Sequence, residues 1–592
     1  MKNSISFLLL AAVVLTCSRC SDESYDSKYF DPSKVETVTV PYLMTGVMLR
    51  ERDYSTYGYF RYLAFDSHFL GKYAQTFGFS VGSTTWEPGH LSYANGQWSQ
   101  FYGAFSDFVK LVDLYENMVE VDKQNNRLFL TAAKVHLYDW LLACVDLYGD
   151  MPFSDACTLP FTSDVVASYA TYDKAEDIYS AVLDELKECG DYLVSPSLVK
   201  IARFNTQDFI NWGDVDKWAR YANSLRLRAA LRVADHGSLV EKGRSAIREI
   251  LENPSAYPLV EDNEQNVFIA NQNSGELNLD HPGNGFHEWA SGRVASGPII
   301  KRMLSNGNYM KDKPASGTYV DGTDDPRLPL LYTMRKLNPT THSALNGGQD
   351  HTIVHSRAVV GIDSLRFVGT DAEVLAQDPG YYDGITSEII ENGFFWRNRN
   401  MDNHLMTASE VLFSKAEAYH RGLGVARDEA KAEAAFKEGV AQSIKFYFKY
   451  NENSSGAVTR AFPTPTEEAI QAYAAARWVS SVNPGVPYSA ADPKLDAILT
   501  QKWLHWGFLA GRQALSEIRR TGLPKLVYPR AGAGDLQWPP ERWKYSIEEQ
   551  HYNPNYPGLD ADRYDIKLFW VNPNGMRHST YENGVWSDQW GD

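Results

Sequence analysis

Apolar residues recur along much of the chain at three- and four-residue steps, the interval that lines up one face of an α-helix. Leu128, Ala132, Val135, Tyr138, Leu142 and Val145 form one such stripe. Ile178, Val182, Leu186, Cys189 and Leu193 form a second, which places Cys189 in a core. Thr407 followed by Glu410 has the form of a capping box ahead of the run Val411 to Tyr419. Gly422 then predicts the end of that helix, and an Ala-rich helix follows from about Asp428 to Tyr450. The pair AEAYHRG and AEAAFKEGVAQSI, with Phe436 at its centre, is similar to a tetratricopeptide helix hairpin. No strict period of about 34 residues runs through the chain, so degenerate helix pairs are expected and a regular solenoid is not.

Between the helical blocks lie stretches rich in Gly, Pro, Asn and aromatics, chiefly 76–100, 255–296, 305–404 and 452–492. Loops of that length inside a compact protein are functional or disordered, and disordered segments are poor in aromatics. These carry Trp86, Tyr93, Trp98, Trp289, Tyr381, Tyr382 and Trp396, so ordered binding loops are expected. Trp and Tyr present a flat apolar ring with a polar tip, which suits the C–H faces of sugar rings and also peptide side chains. Trp86, Tyr93, Trp289, Tyr381 and Tyr382 are the candidate ligand contacts, with Asn95, Gln97, Asn273 and Asp280 as polar partners nearby.

The N-terminus breaks the helical pattern. Lys2 precedes an apolar run from Ile5 to Leu15, which stops before Cys17 and Cys20. A membrane span takes roughly 20 apolar residues, so this run has the length of a signal-peptide core. The stretch Ser21, Asp22 and Glu23, with its two carboxylates, has the look of an acidic tag and favours Cys20 as a lipidation site, with Cys17, behind Thr16, as the alternative. The expected division is a signal over 1–20, a polar tether over 21–40 and a single helical domain with loop insertions over 41–592. No later apolar run of spanning length is expected, which leaves the N-terminal lipid as the membrane attachment.

Composition narrows the classes further. Over 592 residues, 44% hydrophobic and 22% charged content is that of a globular protein. A net charge of −17 without any basic run argues against nucleic acid. Beyond the signal only Cys144, Cys157 and Cys189 remain, which is no disulfide framework; buried free thiols are expected. There is no G-x-S-x-G elbow, H-E-x-x-H pair or Walker loop, so no catalytic residue and no cofactor is assigned. Asp321, Asp324 and Asp325 hint at a calcium turn but lack the alternating ligands and closing Glu; an N-cap ahead of Pro326 is the preferred reading, and no metal is assigned. Asp560, Asp562 and Asp565 share that weakness. Arg226, Arg228 and Arg232 on one predicted helix, and Arg519 and Arg520 on another, read as structural ion pairs. A secreted glycan-degrading hydrolase with an unrecognised carboxylate pair is the alternative to a binding protein, since such pairs are defined in space. A third reading is a helical-repeat scaffold binding only protein, with its aromatics buried.

Several segments together resemble the SusD/RagB family of nutrient-binding outer-membrane lipoproteins. VDLYGDMPFSDA at 145–156 is similar to the family's YGD-(I/M)-P-(Y/F)-S-(E/D)-A segment after a long helix. KWARYANSLRLRAALRV at 217–233 is similar to its KW…ANSL-(R/K)-LR helix. DPRLPLLY at 325–332, SEVLFSKAEAYHRG at 409–422 and ILTQKWLHWGFLAGRQALSEIRRTGLPKL at 498–526 follow in family order. The closing WKYSIEEQHYNPNYP matches loosely, lacking the family's prolines before Glu548 and Glu549. The resemblance implies a mostly α-helical fold of tetratricopeptide-like helix pairs, with long aromatic-rich ligand-binding loops and little β. It further implies a lid on a SusC-like TonB-dependent transporter at the cell surface of the outer membrane. Such a lid captures oligosaccharide, or in some members peptide, without catalysis.

Overall fold

The structure is a computed structural model that describes residues 38–51, 55–58, 65–66, 69–76, 86, 91–270, 299, 302–303, 325–336, 385–389, 401–453, 464–479, 491–507, 509–529, 536, 538–582 and 585–588. The signal, Cys17, Cys20 and most of the tether therefore lie outside the described residues. Helices dominate. The first half holds α1 (Val40–Arg50), α2 (Leu91–Glu116), α3 (Glu120–Tyr148), α4 (Ala175–Leu193), α5 (Val215–Val233) and α6 (Val240–Glu252). The second holds α7 (Ala408–Arg421), α8 (Glu429–Glu452), α9 (Glu467–Val479), α10 (Pro493–Trp506), α11 (Gly511–Thr521) and the short α12 (Ile547–Tyr552). Each packs on its chain neighbour or the next: α3 on α4, α4 on α5, α5 on α6, α7 on α8, α8 on α9 and α10 on α11, while α5 also meets α7 and joins the halves.

Strands form short ladders. β1 (Val267–Ile269) pairs antiparallel with β4 (Asn403–Met406), and β2 (Tyr332–Lys336) with β3 (Ile385–Ile389). β5 (Val527–Pro529) runs parallel to β6 (Arg577–Glu582), which pairs antiparallel with β7 (Val585–Asp588).

The α7–α8 hairpin forms as its sequence predicts. Gly422 ends α7 in the left-handed region (φ 68°), a conformation glycine adopts without a Cβ clash. Asp428 caps α8 by accepting from the Lys431 amide at 3.0 Å. Gly439 lets the Phe413 ring approach so closely that a Cβ there would meet it at 2.8 Å, and Phe413 and Phe436 pack with centroids 6.0 Å apart.

Other expectations change. Thr407 occupies the N-cap position of α7, but the capping box does not form. Its hydroxyl pairs with His505 Nε2 at 2.9 Å, and Glu410 is taken by Arg228. The buried Asn266 amide oxygen accepts from the Ala408 amide instead, at 2.8 Å. Tertiary partners outcompete the local cap. The segments read as loops also contain regular structure: α2 starts at Leu91, α9 lies inside 452–492, and β1 to β4 fall within the other two. Trp98, placed in a loop by sequence, is a buried residue of α2. An apolar run of spanning length does occur after the signal. α3 contains an 18-residue window of mean hydropathy 1.4, and 94% of that window is buried inside the protein. A helix this apolar is the centre of a large core, and every residue from Leu128 to Tyr148 except Lys134 is buried.

The polar side of this core is a network of buried ion pairs. Arg520 on α11 meets Glu417 of α7 at 2.7 Å, Glu517 at 2.7 Å and Asp235 at 3.1 Å. Arg421 pairs with Asp235 and Glu417 at 2.6 and 2.8 Å. Arg232 of α5 reaches Asp146 of α3 at 3.2 Å and Glu517 at 3.1 Å, and Lys502 of α10 reaches Glu517 at 3.2 Å. Burial pushes the Glu517 carboxyl up, but Arg520, Lys502 and Arg232 outweigh it and hold it well below the usual carboxylate range. Asp235 is held down the same way against its burial by Arg520 and Arg421.

Arg520→Met removes one side of a fully buried cluster and leaves Glu417 and Glu517 short of charge. Breaking a buried pair costs about 3–5 kcal/mol, so a lower urea midpoint is expected by equilibrium unfolding. The same network sets an acid limit. A carboxylate with a depressed folded pKa contributes stability above its unfolded value and loses it as pH falls through the folded one. Glu517 and Asp235, with ordinary values of 4.5 and 3.8, thus support the fold fully at neutral pH and withdraw that support as pH falls below about 4. Melting temperatures measured from pH 7 to 3 should drop more for the wild type than for Arg520→Met.

Candidate functional site

Three kinds of feature qualify as a site: the aromatics singled out by sequence, a small cavity with charged side chains in its lining, and grooves on the helix surface. Of the aromatics, Trp86 is completely buried. Its carbonyl accepts from the Tyr73 hydroxyl at 2.7 Å, and its ring lies 6.2 Å from the Tyr73 ring with the Lys72 ammonium 6.0 Å from its centroid. Trp86 thus shows no open face in this structure. Tyr93 sits in the first turn of α2. Trp289, Tyr381, Tyr382 and Trp396 lie outside the described residues, as do Asn273 and Asp280. Gln97 is buried on α2, where its side-chain oxygen faces Arg512.

Trp98 belongs to an aromatic seam that ties α2 to the C-terminal segment. Its ring lies 5.0 Å from both Tyr102 and Tyr148 and 5.6 Å from Tyr545. Tyr545 continues to Tyr172 at 5.2 Å and Tyr556 at 6.1 Å. The hydroxyls are engaged: Tyr102 donates to Pro152 O, Tyr172 to Glu549 and Tyr556 to Asp562, at 2.7 to 2.8 Å. Asp562 also accepts from the Tyr545 amide and Gln550, which makes it a structural acceptor. The loosely matching closing segment is thereby pinned against the Tyr-Gly-Asp turn.

The small cavity, partly open, holds about 50 Å³. Asp139, Arg228, His404, Glu410, His505 and Tyr57 line it. Arg228 binds both carboxylates, Asp139 at 2.9 Å and Glu410 at 2.5 and 3.0 Å, and Asp139 also accepts from Tyr221 at 2.6 Å. Burial, helped by the Lys449 charge, pushes His404 down to about 3. Burial, Arg327 and His404 likewise lower His505. Both rings are therefore neutral hydrogen-bonding groups at physiological pH. Ligand pockets run to roughly 300–1,000 Å³, so this space suits a few bridging waters. The chemistry it offers is structural.

The remaining polar residues singled out by sequence are structural as well. Arg226 pairs with Glu249 at 2.6 Å, and Arg519 donates to Pro540 O at 2.8 Å. Asp325 accepts from Arg327 at 2.6 and 2.9 Å and from Tyr473 at 2.7 Å, fully buried. Arg327 outweighs the burial that would raise Asp325 and lowers it. Asp321 and Asp324 lie outside the described residues, and no metal-ligating cluster occurs among the described ones. Cys144 and Cys189 are buried free thiols that burial pushes up to about 12. Cys157 is half-buried, not buried as expected.

Grooves also open on the surface among the described residues. One lies between α4 and α6 and is crossed by ion pairs of Lys187 and Arg226 with Glu249 and of Lys242 with Asp184. The larger, about 670 Å³, runs from the end of α4 past the start of α5 to Pro254 and Pro258. Just before α5 stands Trp212, half exposed in a left-handed backbone conformation (φ 53°). Sequence reasoning passed over it, although the context Asn211-Trp212-Gly213 is that of a turn, where a tryptophan is out of place.

Scaffold and aromatic seam define a mostly α-helical protein of packed helix pairs whose buried polar clusters hold the fold together. The family model described as "Starch-binding associating with outer membrane" matches residues 88–546. The chain belongs to this SusD-like family. Among solved structures it is similar to a SusD homologue from Parabacteroides distasonis ATCC 8503, with a TM-score of 0.65 and 18% identity over 90% of this chain and 98% of the other. A chitin-binding protein gives 0.62 and 21% over 89% and 99%. A chitin-binding SusD homologue from Flavobacterium johnsoniae gives 0.58 and 18% over 90% and 100%. These likenesses establish the mostly α fold. No curated protein matches the sequence.

Trp86→Ala should register as lost stability. Truncating a buried aromatic of this size costs about 3–5 kcal/mol, read as a lower denaturation midpoint; an unchanged midpoint would show that the indole is not part of the core.

Proposed function

We propose that this chain is a cell-surface lipoprotein that captures an oligosaccharide and delivers it to a SusC-like TonB-dependent transporter. The observation that carries the reading is the family match across residues 88–546, whose description joins starch binding to the outer membrane. Two structural relatives are described as chitin-binding, which favours a glycan over a peptide. The N-terminal apolar run ending at Cys17 and Cys20 supports export and a lipid anchor, with Cys20 the preferred site. Trp289, Tyr381, Tyr382 and Tyr93 are the proposed sugar-stacking residues, on the strength of their clustering in Gly- and Asn-rich sequence. The role is binding without turnover. Asp139 and Glu410, the carboxylates lining the small cavity, are both ion-paired to Arg228, an arrangement unlike an acid and a nucleophile flanking a sugar.

The protein truncated after Cys20 should bind soluble starch or chitin oligosaccharides in calorimetry and release no reducing ends on long incubation. Trp289→Ala should weaken that binding at least tenfold with the melting temperature kept. Purification of the native protein from membranes should bring down a large β-barrel. Sustained release of reducing ends, or a consistently solitary protein, would overturn the reading.

A further inference from the structure

Trp212 is held in a conformation that costs the fold something. A bulky residue at positive φ is an outlier, because its Cβ crowds the backbone, and such strain persists only where surrounding structure imposes it. Here the imposing group is Asp208, itself buried. Its carboxylate accepts from the amides of Ile210, Asn211 and Gly213 at 2.9, 3.0 and 2.9 Å, and from the Trp218 indole at 2.7 Å. Asn205 packs so tightly on Gly213 that a Cβ there would have no room. The loop is thus rigid on both sides of residue 212, while the indole at its tip is 50% exposed. Every other tryptophan whose exposure is described lies well inside the protein or at most half-buried. Among the described residues the Trp212 ring stacks on no aromatic and faces no cation.

The larger groove begins beside this loop. Val215, Asp216, Ala219 and Arg220 of α5 line one wall, and Val215 lies only three residues from Trp212, at most about 11 Å along the chain. Ser195, Lys200 and Ser255 also line the groove. The lining mixes small apolar surface with hydroxyl, carboxylate and ammonium groups, and Asp216 is open to solvent although it pairs with Arg220 at 2.7 Å. A volume of about 670 Å³ accommodates two or three sugar rings on the scale of ordinary ligand sites, roughly 300–1,000 Å³.

We propose that Trp212 and the groove beside it form a second carbohydrate-binding surface, built on the helical scaffold and separate in sequence from the aromatic loops. The indole is the stacking platform for a pyranose C–H face, and the groove's Ser195, Lys200 and Asp216 bind the hydroxyls of adjoining sugars. This assignment rests on the glycan-binding reading above. It explains why the loop tolerates strain at residue 212: glycine would fit the backbone better but would present no ring.

Trp212→Gly tests it, because the two possible roles move stability in opposite directions. A ring displayed for binding can be removed with the melting temperature unchanged or raised, since glycine relieves the positive φ. Affinity electrophoresis through gels containing soluble starch or glycol chitin, with Trp212→Gly, Trp289→Ala and wild type side by side, supplies the binding readout. At least a threefold weaker retardation of Trp212→Gly, with the melting temperature held, supports the platform. Wild-type retardation that Trp212→Gly leaves unchanged overturns the platform while the glycan-binding reading stands. A melting temperature lowered by several degrees makes Trp212 a packing residue and also overturns it. A wild type retarded by neither polymer removes the reading and the platform together.

Discussion

The fold depends on charges taken out of water. Arg232, Arg520, Arg421 and Lys502 converge on Glu417, Glu517, Asp235 and Asp146 where α3, α5, α7, α10 and α11 meet. Removing such groups from solvent costs several kcal/mol per ion, and that cost is offset only when every partner is in place. A cluster of this kind adds little net stability over a well-packed apolar core. Its effect is to forbid other arrangements: any sliding of one helix past another strands a buried charge. Helix pairs that meet through small residues, such as α7 on α8, thereby acquire one register.

This constraint explains what the resemblance to the SusD/RagB family was able to reveal. Several of the matching residues hold buried partners together. In the Tyr-Gly-Asp segment, Asp146 binds Arg232, and Asp150 accepts from the Ala175 amide. In the α5 segment, Ser224 accepts from the Val260 amide, and Arg228 holds Asp139 to Glu410. Asp325 and Arg327 pair with each other and reach Tyr473 and Ser443. Glu417 and Arg520 close the set. Residues that must satisfy several buried partners at once leave recognisable strings; a ring that stacks on a sugar needs only to be aromatic and exposed. The family was therefore legible from the scaffold, while the binding residues were not.

The same distinction separates the readings that held from those that changed. The stripes of α3 and α4 and the α7–α8 hairpin were legible because helical periodicity records burial directly: Cys189 lies in the core stripe where its spacing put it. The capping box at Thr407 was not, because the sequence shows the local partner, Glu410, and hides the distant ones, Arg228 and His505, which bind more strongly. Trp98 looked like a loop residue because the Asn and Gly just before it are poor helix formers. Its contacts with Tyr102, Tyr148 and Tyr545 outweigh that propensity. Residues read as chemically suggestive, Asp325 and Asp562 above all, turned out to be fully engaged acceptors.

Trp86 and Trp212 show why an aromatic residue cannot be assigned from its neighbours alone. Both sit in Gly-containing sequence, yet one is completely buried and the other half exposed. The difference lies in what fixes the backbone. Around Trp212 the carboxylate of Asp208 gathers three amides and an indole, so the turn is complete without any help from the tryptophan. The turn does not need this side chain, and its φ penalises it. Packing rationalises every described tryptophan in the core, but it does not rationalise this one, and the ion-paired scaffold beneath α5 is rigid enough to carry the strain.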